Sequence, residues 1–262
     1  MTQAPSNPMS AAWDYALATD LDGTFLGGSD ADRRALYAAI DARRDRMGLI
    51  FVTGRDPDFI EGLCGSGGVP WPDYVIGDVG TTIAAVENRR VAPLAALEAP
   101  IAQAWGDRGA QVRAALDGAA GLTLQPTPFR HRVSYDYDPE SYDGAAQAAV
   151  AAMGLDWLIS ADRYFDVLPK GVSKGPSLKR LVAHLGLAPA RVLAAGDTLN
   201  DLSMFHAGVP AVAVGGSEDA LLRQVSALPH VHVARSVGAA GIAEALAHFG
   251  LDDYGKEYSD AV

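Results

Sequence analysis

Short apolar runs that stop abruptly at polar, reactive residues recur along this chain, separated by segments with helical periodicity. The run over 15–19 passes into Asp20-Leu21-Asp22-Gly23-Thr24, and the run over 49–52 into Thr53-Gly54-Arg55. A third, 191–195, leads into Gly196-Asp197-Thr198-Leu199-Asn200-Asp201. Continuous apolar runs of this length are strands buried on both faces, and their alternation with helices predicts a parallel sheet with helices on either side. Further strands are expected at 74–76, 82–86, 211–214 and 231–234. Helices are expected at 30–44, capped by Ser29 or Asp30 with Leu36, Tyr37 and Ile40 facing inward, and at 173–185 and 241–249.

The middle of the chain reads differently. Pro93, Pro100, Pro126 and Pro128 punctuate it. Residues 132–137 alternate, with Val133, Tyr135 and Tyr137 on one face and Arg132, Ser134 and Asp136 on the other, as in a half-exposed antiparallel strand. Helices over 101–116 and 142–153 and a strand over 157–160 complete a small α+β unit. The expected fold is therefore α/β: a Rossmann-like parallel-sheet core (1–88 and 169–262) interrupted by an inserted α+β cap (89–168).

The formal charge of −11 disfavours a nucleic-acid partner, which needs a basic face. It also means that a site for a phosphorylated substrate must supply its own cations. Cys64 is the sole cysteine, so no internal disulfide can form, and a cytoplasmic setting is expected. The polar segment over 1–10 lacks the basic and apolar regions of a signal peptide, and no apolar run is long enough to span a bilayer.

Open α/β sheets place ligands beyond the carboxyl ends of their strands. Four segments fall there: 20–24, 52–55, Val172-Ser173-Lys174-Gly175 and 196–201. Asp20 and Asp22, two residues apart just past a strand, can both lean into one cavity. One can attack phosphorus while the other handles protons at the leaving oxygen. Gly23 permits a tight turn that exposes backbone N–H groups to a phosphate. Two carboxylates beside a phosphate dianion require cations. Hard oxygens from Asp20 and Asp197 suit Mg²⁺, Lys174 adds a positive charge, and Thr53 adds a hydrogen-bond donor. Lys174 stands at a helix start, where a cation is disfavoured by the helix dipole unless an anion sits nearby. Lys170 reads as a solvated hinge charge, Asp78 as a turn residue, and Trp105, Phe129 and Trp157 as packing residues. The six histidines show no zinc-like spacing, and His230 and His232 have no partner carboxylate at a recognisable spacing.

The four segments, in this order, resemble the four motifs of the haloacid dehalogenase superfamily of phosphatases, and the insert after the second resembles the α/β cap of its subfamily IIB. Pro72-Asp73-Tyr74-Val75-Ile76 through Val79-Gly80-Thr81, Phe165-Asp166-Val167-Leu168-Pro169 and Ala245-Leu246-Ala247-His248-Phe249 are similar to the bacterial sucrose-phosphate phosphatases and the related mannosylfructose-phosphate phosphatases. The resemblance implies Asp20 as nucleophile and Asp22 as general acid/base, its backbone carbonyl also binding Mg²⁺. It implies Thr53 and Lys174 as phosphoryl holders, Asp197 as a second carboxylate ligand, and Asn200 and Asp201 as supports of the metal and its waters. The metal set expected is thus Asp20, Asp22, Asp197 and Asp201, with Gly54, Arg55, Asn200 and Arg132 toward the substrate. Thr198 stands where the family often has Ser, and Thr82 where it often has an acidic residue.

The expected activity is Mg²⁺-dependent hydrolysis of a sugar phosphate, a sucrose 6-phosphate-like disaccharide or glycoside, through an aspartyl-phosphate. A phosphohexomutase of the same superfamily is the alternative. A phospho-receiver, which also gathers Asp, Thr and Lys around Mg²⁺, fits less well because it has no inserted cap. The expected partner is a small-molecule sugar phosphate, with neither nucleic acid nor membrane involved; a monomer fits the sequence.

Overall fold

The computed structural model describes residues 13–251; the polar segment at 1–10 lies outside the described residues. Eight strands form the core sheet: β1 (Tyr15–Thr19), β2 (Met47–Val52), β3 (Tyr74–Gly77), β4 (Thr82–Glu87), β5 (Arg90–Pro93), β10 (Val192–Gly196), β11 (Ala211–Gly215) and β12 (Val231–Val237). Their order is β12-β11-β10-β1-β2-β3-β4-β5. The six from β12 to β3 run parallel; β4 pairs antiparallel with β3, and β5 antiparallel with β4.

Alternation within the buried strands places helices on both sheet faces. In β1, Ala16 and Ala18 pack with Leu178, Leu181 and Phe205, contributed by α6 (Lys174–Leu185) and α7 (Leu202–Phe205). Leu17 points the other way, among Leu36 and Ile40 of α1 (Asp30–Asp41) and Ile242 and Leu246 of α9 (Gly238–His248). Helices α2 (Pro57–Gly65) and α8 (Asp219–Val225) complete these two layers. Ser29 caps α1 in a reciprocal box with Asp32.

The inserted unit holds an antiparallel sheet in the order β6-β7-β9-β8: β6 (Leu122–Leu124), β7 (Val133–Tyr137), β9 (Tyr164–Leu168) and β8 (Asp156–Ser160). Helices α3 (Ala95–Trp105), α4 (Gly109–Ala115) and α5 (Ala145–Ala152) cover one face. Trp105, Val112, Val150, Tyr135, Phe165 and Val167 fill its own core.

Two sequence readings need correcting. The core sheet extends past residue 89, because Asn88 and Arg89 adopt left-handed backbone and fold β5 back onto β4. The boundary therefore follows Pro93. Helix α3 joins the two units, placing Leu97 and Ile101 in the core and Trp105 in the cap. The single helix expected over 101–116 is two, because Gly106 ends α3 at φ +60° and Asp107 continues the break at φ +55°.

Candidate active site

The sheet order rises from β1 through β2 and β3 on one side and from β10 through β12 on the other. The crevice beyond β1 and β10 is thus the topological switch point, where such sheets bind ligands. Asp20 follows β1 directly and Asp197 follows β10. The turn over Leu21–Phe25 brings the two together. Gly23 has φ +81°, and a Cβ there would stand 2.2 Å from Asp197 Oδ2, so only glycine permits the approach. Thr24 Oγ1 donates to Asp197 Oδ1 at 2.7 Å, a contact the sequence reading missed.

Lys174, the first residue of α6, lies fully buried at the centre. Its ammonium donates to Asp20 Oδ1 at 2.7 Å, Asp201 Oδ1 at 2.6 Å and Asn200 Oδ1 at 2.9 Å. The backbone N–H groups of Asp197 and Thr198 donate to Asp201 Oδ2 at 3.0 and 3.1 Å. Gly80, at φ +101°, leaves α6 room to begin here, since a Cβ would lie 2.3 Å from the Ser173 carbonyl carbon. Glu218 braces the segment by accepting from Leu199 N–H at 2.9 Å.

Burial dominates the electrostatics. It raises the Asp20 carboxyl well above its usual range; Lys174 opposes this and Asp201 adds to it. Burial pulls Lys174 down, but Asp20 and Asp201 more than reverse it and hold the ammonium above its ordinary value. Asp197 is pushed up to about 6 by burial and then by Asp201, with the Thr24 hydroxyl opposing.

One oxygen from each of Asp20, Asp197 and Asp201 lies within 4.8 Å of the other two. Three crowded carboxylates with one lysine between two of them leave surplus negative charge, and an all-oxygen donor set fits a hard divalent cation. The Asp22 carboxylate is not in this group. It is half-exposed and gripped by Arg55, whose Nε and Nη2 donate at 2.9 and 3.1 Å.

Thr53 is buried at the end of β2, and its Oγ1 accepts from Arg55 N–H at 3.1 Å. Gly54, Arg55, Asp20, Asp22 and Asn200 line one wall of a cavity of about 410 Å³, a volume typical of small-molecule sites (about 300–1,000 Å³). The cap supplies the other wall, including Gln125, Phe129, Arg163, Tyr164 and Asp166. Of these the sequence reading singled out Phe129, as a packing residue, and gave no role to Gln125, Arg163, Tyr164 or Asp166. Arg132 and Ser134 are buried toward the core rather than solvated, and Asp166 faces the same way across the sheet. Arg132 lines the cavity, but its guanidinium is taken up by Asp166 and the Gly54 carbonyl.

The remaining candidates fall elsewhere. Lys170 is exposed and paired with Asp156 at 2.6 Å. Asp78 is a left-handed turn residue at φ +53° that accepts from Thr82. Glu98, from α3, supplies a carboxylate near Thr82: it accepts from Ile83 N–H and binds Arg130, which also donates to the Thr82 hydroxyl. Trp105 is packed in the cap, whereas Trp157 is 40% exposed against Phe165 and Phe129 stacks on Arg132. Contrary to expectation, His232 has a carboxylate partner, Glu244, at 2.8 Å. Cys64 is buried, which pushes its thiol up to about 11. Among the described residues no helix is long and apolar enough to cross a membrane.

Residues 14–250 match the sequence model of the sucrose-6F-phosphate phosphohydrolase family. The chain is 42% identical over 237 residues to a glucosylglycerol-phosphate synthase from Pseudomonas anguilliseptica, covering 90% of this chain but only 31% of that protein. It is 32% identical over 248 residues to the mannosylfructose-phosphate phosphatase of Agrobacterium fabrum, covering 90% of this chain and 97% of that enzyme. Among solved structures, the sucrose-phosphatase from Synechocystis, in complex with sucrose and phosphate, superposes with a TM-score of 0.80 at 25% identity, covering 91% of this chain and 98% of that one.

Proposed function

We propose that this chain, which belongs to the sucrose-6F-phosphate phosphohydrolase family of haloacid dehalogenase subclass IIB phosphatases, hydrolyses a phosphorylated glycoside through an aspartyl-phosphate on Asp20. The observation that carries this reading is the convergence of Asp20, Lys174, Asp197 and Asp201 at the switch point, beneath a cavity roofed by the cap.

In this reading an Asp20 oxygen attacks phosphorus, the ester P–O bond breaks, and the sugar oxygen takes its proton from Asp22. Asp22 then accepts a proton from the water that opens the acyl-phosphate, returning free phosphate and Asp20. The Thr53 hydroxyl, whose oxygen already accepts from Arg55 N–H, retains its own proton to donate to a phosphoryl oxygen. Lys174 offsets negative charge that builds on Asp20 and the phosphoryl group. Gly54, Arg55 and Asn200 meet the substrate from the cavity wall.

Asp20, Asp197 and Asp201, with the Asp22 backbone carbonyl, would hold Mg²⁺, which when bound supplies positive charge against the phosphoryl oxygens. The cap closes the cavity and excludes bulk water from the acyl-phosphate. The single cysteine suits a cytoplasmic enzyme.

The names of the relatives point to phosphorylated glycosides of different sizes. The 42% identity to the glucosylglycerol-phosphate synthase makes the glucosylglycerol ester a second substrate to set beside a disaccharide phosphate. Purified protein with Mg²⁺ is expected to release inorganic phosphate from sucrose 6-phosphate, mannosylfructose phosphate or glucosylglycerol phosphate. Release from none of these, or from any member of a broad sugar-phosphate panel, would sink the proposal. Transfer of phosphate to another hydroxyl of the intact sugar would indicate a mutase instead.

A further inference from the structure

Three consecutive carbonyls of the loop after β2 are held by three different donors. The Thr53 carbonyl accepts from Val79 N–H at 3.1 Å, and the Arg55 carbonyl from Asp78 N–H at 3.0 Å. Both donors belong to the core turn after β3. The middle carbonyl, that of Gly54, accepts from Arg132 Nη2 at 3.0 Å, and Arg132 belongs to the cap.

The peptide joining Gly54 to Arg55 is planar, so fixing its carbonyl fixes its N–H. That N–H donates to Thr53 Oγ1. A hydrogen-bonded path thus runs from a cap guanidinium through one peptide to the hydroxyl at the end of β2.

Arg132 is well placed to transmit position. It is only 6% exposed. Its Nη1 donates to Asp166 Oδ1 at 2.8 Å, and Ser134 Oγ also donates to that oxygen. Both partners stand on cap strands, β7 and β9. The Phe129 ring lies 3.6 Å from Arg132 Cζ and fixes the guanidinium plane. On the core side, Arg132 Nη2 is 3.5 Å from Asp78 Oδ1, an ion-pair distance beyond a good hydrogen bond. Asp78 Oδ1 and Arg132 Nε are both buried without a hydrogen bond. Arg132 is thus held by the cap and faces a core carboxylate at ion-pair distance.

We propose that Arg132 is a positioning residue that couples the seating of the cap to the geometry of the Thr53-Gly54-Arg55 loop. A phosphorylated sugar that seats the cap thereby also orders the peptide and hydroxyl next to its phosphate. A small aryl phosphate, with little to offer the cap wall, gains less from the coupling.

The test uses the full chain with Arg132→Gln, Arg132→Lys and Asp166→Asn, read two ways. Hydrogen exchange at the amides of Arg55, Asp78 and Val79 is expected to rise about tenfold in Arg132→Gln, with the other core-sheet amides unmoved. Arg132→Lys, which keeps the charge but loses the two-pronged grip, is expected to fall between. In kinetics, which rest on the phosphatase reading, kcat/KM for a phosphorylated disaccharide should fall at least ~10-fold more than for p-nitrophenyl phosphate. Equal losses on both substrates, unchanged loop exchange, or a rise spread over the whole core would each overturn the coupling. Should Arg132→Gln fail to fold, Asp166→Asn decides the matter, because it loosens Arg132 from the cap without removing it. Should wild type turn over neither substrate, the phosphatase reading fails while the exchange experiment still judges Arg132.

Discussion

Lys174 Nζ sits 2.7 Å from Asp20 Oδ1 with the lysine side chain wholly removed from solvent, joining residues 154 apart in sequence. The same ammonium donates to Asp201 at 2.6 Å, so one cation offsets two buried carboxylates. Replacing Lys174 with Met would strand both acids. Breaking a buried pair in this way costs about 3–5 kcal/mol. Chemical denaturation is expected to register a loss of that order, and phosphate release should fall by at least ~10²-fold as phosphoryl charge loses its counterweight. A Met variant of unchanged stability would mean that the lysine contacts contribute nothing to holding the fold.

Asp20→Asn should be inactive, because an amide cannot form the acyl-phosphate. Its fold should survive, since Asn can still accept from Lys174. Asp22→Asn is expected to slow turnover by ~10²–10⁴-fold, the usual share of a general acid or base. Its stability should hardly change, because the Asp22–Arg55 pair is half-exposed and worth about 1 kcal/mol at most. Rapid-quench capture of phosphate on wild-type protein, and its absence from Asp20→Asn, tests the assignment. Full activity in either variant would refute its role.

The core wall of the cavity was legible because buried parallel strands are short and apolar, so the first polar residue after each one marks the ligand edge of the sheet. Asp20, Thr53 and Asp197 all announce themselves in this way. Lys174 was legible as a charge at an unfavourable helix end. The cap wall was not legible, because period-two alternation separates two faces without saying what covers the polar one. Ser134 and Arg132 face the core and Asp136 faces solvent, yet all three belong to the same alternation. Glu98 and Thr24 were equally hidden, since their partners are set by tertiary contacts across sheet and hinge.

Asp197 carries a cost in the metal-free protein. Burial and its neighbour Asp201 push it up to about 6. A carboxyl whose folded value is raised above its ordinary 3.8 destabilises the fold increasingly as pH climbs past 3.8, levelling off above 6. Asp197→Asn removes that penalty while keeping an acceptor for Thr24. In chelator-treated protein at pH 8 it should therefore raise stability by on the order of 1 kcal/mol. Mg²⁺ should raise the melting temperature of wild type and do so much less in the variant, which should have lost most of its phosphate release. Equal Mg²⁺ stabilisation of both proteins would remove Asp197 from the metal set.

A second titration lies where α9 packs against the edge strand β12. Burial pushes the Glu244 carboxyl up, but the His232 ring at 2.8 Å and the backbone N–H groups of Ser236 and Arg235 outweigh it and bring the value down to about 2. His232 is itself stacked on His248, with ring centroids 4.2 Å apart. Because the folded value lies below the ordinary 4.5, the stabilisation is complete above 4.5 and is lost as pH falls from there through about 2. The group is 29% exposed, so solvent screening reduces the contribution to about 1 kcal/mol. Glu244→Gln should therefore cost about that much at pH 6 and almost nothing at pH 2, narrowing the gap between the two urea midpoints as the solution is acidified. A gap that stays constant down to pH 2 would mean that the Glu244 contacts act through packing and not through charge.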